Sequence, residues 1–405
     1  MSAHRLVVLG TAASNPYAGM AWMHMQITAG LARLGHDVVY LETTSSWPYD
    51  PERRYKVCDS DYAVPYLARI CHEFGLGDRW AYRQSFSDGA WLGPQAHRAD
   101  EILRNADAVL NVAGATHPGP DQPDFADNLV YLGTDPVYPE INVFDGDPMS
   151  IAAIGRHRAA ITYGENIGTP ASPVPPLPNL VGRMRQPILI DEWDPEQPAG
   201  PNYTTVANWK QDGCEVDFRG ERYLWSKDVE FLRFVDVPRR APVPIELATN
   251  LAPPESIVYG EGEPVKTRGV ADDDRSRLIA NRWILTAAES FTLDPWSYRD
   301  FIHGSRAEFA VARDLNVRLN SGWFSERSAC YLAAGRPVIT QDTGFGAVLP
   351  TGEGLFAFST SDEALTAIDA VEHDYGRHSR AAREIAVEYF RAETVLARML
   401  HDLGL

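Results

Sequence analysis

No uninterrupted apolar run in the 405 residues approaches the ~18 residues of a membrane-spanning helix. The opening residues, Met1 to Leu6, lack the charged region, apolar core and small-residue cleavage site of a secretory signal. A cytoplasmic location is the expectation. Cysteine is scarce: Cys58, Cys71, Cys214 and Cys330, with no CxxC pair. They read as reduced thiols, not as a disulfide framework or a zinc site. Basic charge is short as well, with 37 Lys and Arg against 55 Asp and Glu and a net charge of −18. No dense Lys/Arg run offsets it. A surface this acidic repels phosphate backbones, which argues against nucleic acid and anionic membranes as partners. The loop at residues 10–19 has no GxGxxG pattern, so an NAD site is poorly supported. The run Asp272, Asp273, Asp274 lacks the glycine and terminal glutamate of a calcium loop and reads as a solvated loop.

What is present is alternation. Residues 6–9 form a short apolar strand. A Gly/Ala/Ser/Asn/Pro loop follows at 10–19, then a helix over 20–34. Met23, Ile27, Leu31 and Leu34 fall on one face of that helix. Gly35 ends it, and residues 37–42 form the next strand, completing a βαβ unit. Helices are expected at 98–105 and 150–158, and strands at 108–112, 129–132 and 160–163. A proline-rich stretch covers 170–178. A second breaker-rich stretch, 194–201, reads as an interdomain connector. Strands recur at 203–207, 309–312 and 337–340, and the last thirty residues are helical in pattern. With 44% hydrophobic residues and domains typically ~100–200 residues long, the expected fold is α/β. Two doubly wound, Rossmann-like domains face each other, each with a parallel sheet.

Open parallel sheets bind ligands beyond the carboxyl ends of their strands. The candidate positions are the loops at 10–19, 43–47 and 114–117, then Thr134, Asp135, Glu165 and Asn166. In the second half they are 208–210, 320–327 and 341–346. The most informative stretch runs from Ser321 to Ile339. Ser321 and Gly322 read as a turn after a strand. Ser325 reads as the N-cap of a helix that Gly335 ends and Pro337 cannot continue. A helix N-terminus presents unpaired N–H groups to a diphosphate, and Arg327 in its first turn adds a cation.

Four residues are candidate acid–base groups. Asp135 ends a strand before Pro136, where it is either a turn former or a general base. Glu165 is the competing carboxylate. His24 sits early in the first helix, and His117 lies in a Gly/Pro-rich loop. Trp209 and Trp323 either stack on a nucleobase or pack in the core. Asp342 either binds hydroxyls or caps a turn.

The segment ending Leu332-Ala333-Ala334-Gly335-Arg336-Pro337-Val338-Ile339, with Asp342-Thr343-Gly344 behind it, resembles the donor-binding half of GT-B glycosyltransferases. The loop at 10–19 and the helix ending at Gly35 resemble the first βα unit of their acceptor half. Thr134-Asp135-Pro136, Tyr163-Gly164-Glu165-Asn166, Lys227-Asp228-Val229-Glu230-Phe231 and Ser321-Gly322-Trp323-Phe324-Ser325 are similar to stretches of a bacterial, family-1/family-4-like branch.

The resemblance spans nearly the whole chain. It implies an acceptor domain at 1–195, a donor domain at 196–380, and a C-terminal helix at 381–405 packing back on the first. It implies transfer of a sugar from a UDP- or TDP-sugar to a hydroxyl of a small, natural-product-like molecule or a cell-surface glycan. The nucleotide sugar serves as co-substrate, with no other cofactor and no metal. The implied donor site comprises Lys227, Lys210, Trp209, Gly322, Trp323, Ser325, Glu326, Arg327, Ser328, Asp342, Thr343 and Gly344. Ala12, Ala13, Ser14 and Asn15 form a loop facing the phosphates.

The chain departs from the pattern at two positions. Gly322 and Cys330 stand where many retaining members carry glutamates, and Glu326, one turn before Cys330, is the substitute. The aromatic residues of 45–65 and 81–94 suit an aromatic or lipid-like acceptor, or are packing. An epimerase of the same fold and a degenerate nucleotide-binding protein are the alternatives.

Overall fold

A computed structural model describes residues 3–44, 46–117, 119, 122–123, 125, 127–194, 198–252, 257–258, 265–266 and 269–405. The middle of the expected connector, 195–197, lies outside them.

The first sheet is built from β1 (Arg5–Leu9), β2 (Asp37–Glu42), β3 (Trp80–Arg83), β4 (Trp91–Leu92), β5 (Ala108–Val112), β6 (Leu129–Gly133), β7 (Ala159–Thr162) and β8 (Leu180–Arg183). Their spatial order is β8-β7-β6-β5-β1-β2-β3-β4. Neighbours are parallel except the β3–β4 hairpin. Residues Leu6 to Leu9 are buried on both faces of the sheet, which is why β1 reads as a continuous apolar run and not as an alternation. The helix α1 (Ala18–Arg33) returns the chain for β2. It closes with Gly35 at φ +88°, the Gly35 N–H on Ala32 O and the His36 N–H on Leu31 O. That paired bonding is a Schellman motif, and it needs the left-handed conformation that glycine adopts freely.

The second sheet holds β9 (Tyr203–Val206), β10 (Ile245–Thr249), β11 (Trp283–Ala287), β12 (Ala307–Ala310), β13 (Val338–Gln341) and β14 (Leu355–Phe358), all parallel. The order β11-β10-β9-β12-β13-β14 is the doubly wound arrangement, with its switch point between β9 and β12. The first sheet reverses in the same way between β1 and β5. The helices used below are α2 (Asp228–Arg233), α3 (Asp272–Ala280), α4 (Pro295–His303), α5 (Glu326–Ala333), α6 (Tyr375–Ile385) and α7 (Ala392–Asp402).

The halves share a core. Ala18 and Trp22 of α1 pack with Tyr298 and Ile302 of α4 and with Ala329 and Cys330 of α5. The Trp22 indole N–H donates to Pro295 O at 2.9 Å. The chain ends in the first half, where Leu396 and Met399 of α7 join Leu6, Val8 and Ile27 in one cluster. Gly30 of α1 permits that approach, since a Cβ there would lie 2.6 Å from Leu396 Cδ1. The return crossing runs beside the segment leaving the first sheet. Ile188 N–H donates to Phe390 O at 2.7 Å, and Ala392 N–H donates to Ile188 O at 2.9 Å.

Several boundaries differ from the sequence reading. The helix expected at 150–158 is Pro148–Gly155, started by Asp147, whose carboxylate accepts from the Ser150 N–H. The strand expected at 309–312 is β12, two residues earlier. Ser321 and Gly322 follow the short helix Asp314–Arg318, not a strand. Asp272, Asp273 and Asp274 are the first turn of α3, not a loop. Three carboxylates there favour the positive end of the helix dipole, and Asp274 also accepts from the Trp209 indole at 3.3 Å.

Candidate active site

A cleft of about 800 Å³ lies between the halves. The first half contributes Asn15 and Tyr17 from the β1–α1 connection, Met20 and Met23 from the start of α1, Tyr49 and Arg54 from a hairpin, Thr134 and Asp135 after β6, and Tyr163 after β7. The second contributes Val206 to Asn208 and Lys210 after β9, Asn250 after β10, Glu289 after β11, Arg313 after β12, and the start of α5. Each set sits at carboxyl ends of parallel strands, as doubly wound sheets dictate.

Cations gather on the wall formed by the second half. Lys227 immediately precedes α2 and is buried. Its ammonium makes no hydrogen bond or ion pair with any described residue. The Trp323 ring faces it, with the ring centroid 5.9 Å from Nζ. Burial, then the nearby Arg327 and Arg313 charges, hold the Lys227 pKa well below that of an ordinary lysine. Arg327, in the first turn of α5, donates to Glu308 at 2.5 Å and to Val206 O at 2.5 Å. Glu308 is fully buried on β12. Arg313 lies 3.7 Å from the Trp225 ring centroid and is ion-paired with Asp135.

Ser325 is the residue before α5 in extended conformation, as expected, but its hydroxyl makes no capping bond. The amides of that turn are therefore not capped by its side chain, beside Lys227 and Arg327. Gly335 at φ +64° ends α5 through the same bonding as Gly35, Arg336 N–H to Tyr331 O and Gly335 N–H to Leu332 O. Glu326 opens the helix and lines the cleft. Its Oε1 accepts from Gln26 Nε2 at 2.8 Å and from the Cys330 thiol at 3.3 Å. Burial pushes its pKa up to about 7, against opposing pulls from Cys330, Arg327 and Gln26.

The structure brings Asp135, Lys227, Lys210, Trp323, Ser325, Glu326, Arg327 and Asn15 to the cleft. The other expected site residues face elsewhere. His24 is fully buried; its Nδ1–H donates to Met20 O at 2.7 Å and its Nε2 accepts from Thr11 N–H at 3.3 Å. Burial drives its pKa down to about 4, so it is a neutral packing residue. His117 is exposed and outside the cleft lining. Glu165 is paired with Arg185 at 2.7 Å.

The Ala12, Ala13 and Ser14 amides do not face phosphates. Ala12 N–H donates to the Tyr40 hydroxyl, and Ala13 and Ser14 donate to the buried Glu42 carboxylate. Trp209 is buried and stacked on Phe231, 5.7 Å between centroids, in the core of the second half. Ser328 is buried on the inner face of α5. Asp342 caps its own turn, accepting from the Gly344 N–H at 2.7 Å. Thr343 donates to Trp323 O. Gly322 and Gly344, both at positive φ, pack on Asn166, whose amide donates to Asn320 O and Gly344 O. These last residues shape the turn before α5 without lining the cleft. Of the aromatic residues of 45–65 and 81–94, Tyr49 reaches the cleft, while Tyr82 is buried in β3.

Sequence reasoning missed Arg313, Tyr163 and Gln186. Arg313 directly follows the strand expected at 309–312, a usable signal that was passed over. Cys58, Cys71 and Cys330 are free thiols. Among the described residues no helix is long and apolar enough to cross a membrane, and no group of three or more His, Cys, Asp or Glu is placed to hold a metal ion.

Two facing doubly wound sheets, with a C-terminal helix returned to the first, are the architecture of the GT-B glycosyltransferases. Solved structures bear out that fold across the whole chain. HepE of Anabaena, in complex with UDP and glucose, is 11% identical with a TM-score of 0.53, covering 99% of each chain. A glycosyltransferase from Rickettsia africae is 10% identical at TM-score 0.53, covering 99% of this chain and 98% of its own. An alpha-glucosyltransferase in complex with UDP and a 13-mer DNA is 8% identical at TM-score 0.55, covering both chains fully at 100%. No protein-family profile matches the chain, and no curated protein does.

Proposed function

We propose that the protein is a glycosyltransferase that takes a sugar from a nucleotide diphosphate donor and passes it to an acceptor hydroxyl. The observation that carries this is Lys227, a buried lysine of the cleft lining whose ammonium makes no hydrogen bond or ion pair among the described residues, on the same cleft wall as Arg327 and the start of α5. An unpaired buried cation is unfavourable in isolation and calls for an anion. A diphosphate supplies it, with the α5 amides completing the cradle. The UDP held by HepE and by the alpha-glucosyltransferase makes uridine the first base to test.

In this reading the acceptor half is 1–195, the donor half 196–380, and 381–405 the returning segment. Asp135 is the base that takes the acceptor proton, since it lines the cleft while Glu165, His24 and His117 do not. The acceptor is a small molecule or a glycan entering past Tyr17, Tyr49 and Arg54. The net charge of −18 argues against a DNA acceptor. The donor is the only co-substrate, the reaction needs no metal, and the location is cytoplasmic.

Calorimetric titration with UDP, TDP, GDP and ADP tests the reading. Selective binding of one diphosphate, lost in Lys227→Ala, supports it. No binding by any of the four overturns it. An epimerase is told apart by conversion of the nucleotide sugar with no acceptor present.

A further inference from the structure

Two residues of the cleft lining each carry a buried polar atom with no hydrogen-bond partner among the described residues: the Tyr163 hydroxyl and Gln186 Oε1. Buried polar groups are almost always paired, so an orphan lining a cavity marks where a ligand group belongs. Both flank the turn that opens α5. Gln186 donates through Nε2 to Phe324 O, which fixes its amide with Oε1 left over. Tyr163 lies within electrostatic reach of Glu326. The Glu326 carboxyl is held on one side only, by Gln26 and Cys330 at Oε1. Its Oε2 bonds to no described residue.

The chemistry of this trio is specific. A phenol donates or accepts, an amide oxygen accepts, and a carboxyl accepts or, when protonated, donates. Phosphate is unsuited, because Gln186 Oε1 and a Glu326 carboxylate would both repel it. A cation is unsuited, because Lys227 and Arg327 stand on the same wall. Neutral hydroxyls, each a donor and an acceptor, satisfy all three. Glu326 and Arg327 are adjacent in the chain, so the hydroxyl-binding trio abuts the diphosphate cradle. The group next to a donor's diphosphate on the side away from its nucleoside is the transferred sugar.

We propose that Tyr163, Gln186 and Glu326 form the subsite for the hydroxyls of the transferred sugar, and that this sugar is uncharged. The two residues from the acceptor half thereby read the donor. This rests on the nucleotide-sugar reading above.

Tyr163→Phe is the decisive variant, because the hydroxyl it removes bonds to no described residue. UDP, UDP-glucose, UDP-galactose and UDP-N-acetylglucosamine are titrated into the parent and the variant. The parent is expected to bind at least one UDP-sugar more tightly than UDP. Tyr163→Phe should bind UDP unchanged and that sugar roughly two- to tenfold more weakly, the range for one neutral hydrogen bond. Glu326→Gln serves as the second variant, keeping shape and an acceptor oxygen, and should also reduce the sugar preference. Equal affinity of the parent for UDP and all three sugars overturns the subsite. So does a sugar preference untouched in both variants while UDP still binds. Failure of every nucleotide to bind the parent overturns the glycosyltransferase reading itself.

Discussion

Arg313 of the second half is ion-paired with Asp135 of the first across the cleft. A donor-side cation is thus occupied by the carboxylate proposed as base. Asp135→Asn releases Arg313 for phosphate while removing the proton acceptor. The variant should bind UDP at least as tightly as the parent and lose turnover. Weaker UDP binding together with normal turnover would place the base elsewhere.

Lys227 and Arg327 are both donor-side cations but differ in what they hold. Lys227→Met removes a desolvated cation that makes no hydrogen bond or ion pair among the described residues, so it should raise the melting temperature while abolishing UDP binding. Arg327→Ala strands Glu308, and breaking one side of a buried pair costs about 3–5 kcal/mol. Its expected signature is a large loss of stability as well as of affinity. Parallel thermal melts and titrations separate the two.

Glu165→Gln acts on the fold and not on the chemistry. Arg185 would keep a nearly buried guanidinium without its carboxylate. Urea unfolding should show destabilisation of a few kcal/mol, with kcat in the folded fraction unchanged. A stable but inactive variant would restore Glu165 to the site.

Glu326 makes stability depend on pH with a definite sign. Its pKa is raised from 4.5 to about 7 in the fold. Between those values the unfolded chain has released the proton and the folded chain has kept it, so stability falls as pH rises. At roughly 1.4 kcal/mol per pKa unit, Glu326→Gln should gain up to about 3 kcal/mol on the parent between pH 4 and pH 8. The same difference at both pH values, by urea denaturation, would refute the buried carboxyl as described. The opposite slope comes from His24, pushed down to about 4 by burial. Its contribution is present above 6.5 and lost as pH falls toward 4.

Trp209→Phe should lower stability and leave UDP affinity unchanged, since the ring sits on Phe231 inside the second half. Trp323→Ala, facing Lys227, should weaken UDP binding.

These contrasts mark what a sequence carries. The β1–α1–β2 unit and α5 were legible because apolar runs, helical spacing and the glycines at 35 and 335 act over a few residues. The donor-side cluster was partly legible for the same reason, as Arg327 and Ser325 belong to one turn. The Asp135–Arg313 pair spans 178 residues, and nothing local announces it. The amides of Ala12 to Ser14 looked free because their partners, Tyr40 and Glu42, lie on the next strand. The acidic run at 272–274 had a legible signal as a helix start, three carboxylates ahead of Leu278, and was passed over as a loop. Trp209 and Trp323 follow similar turns, and only the packing of α2 decides that one is core and the other wall.

The two crossings between the halves are fastened to each other through Ile188, with Phe390 on one side of its peptide and Ala392 on the other. They form a single ribbon instead of two independent tethers. A hinge between the halves would therefore bend at one joined ribbon and not at two separate strands of chain.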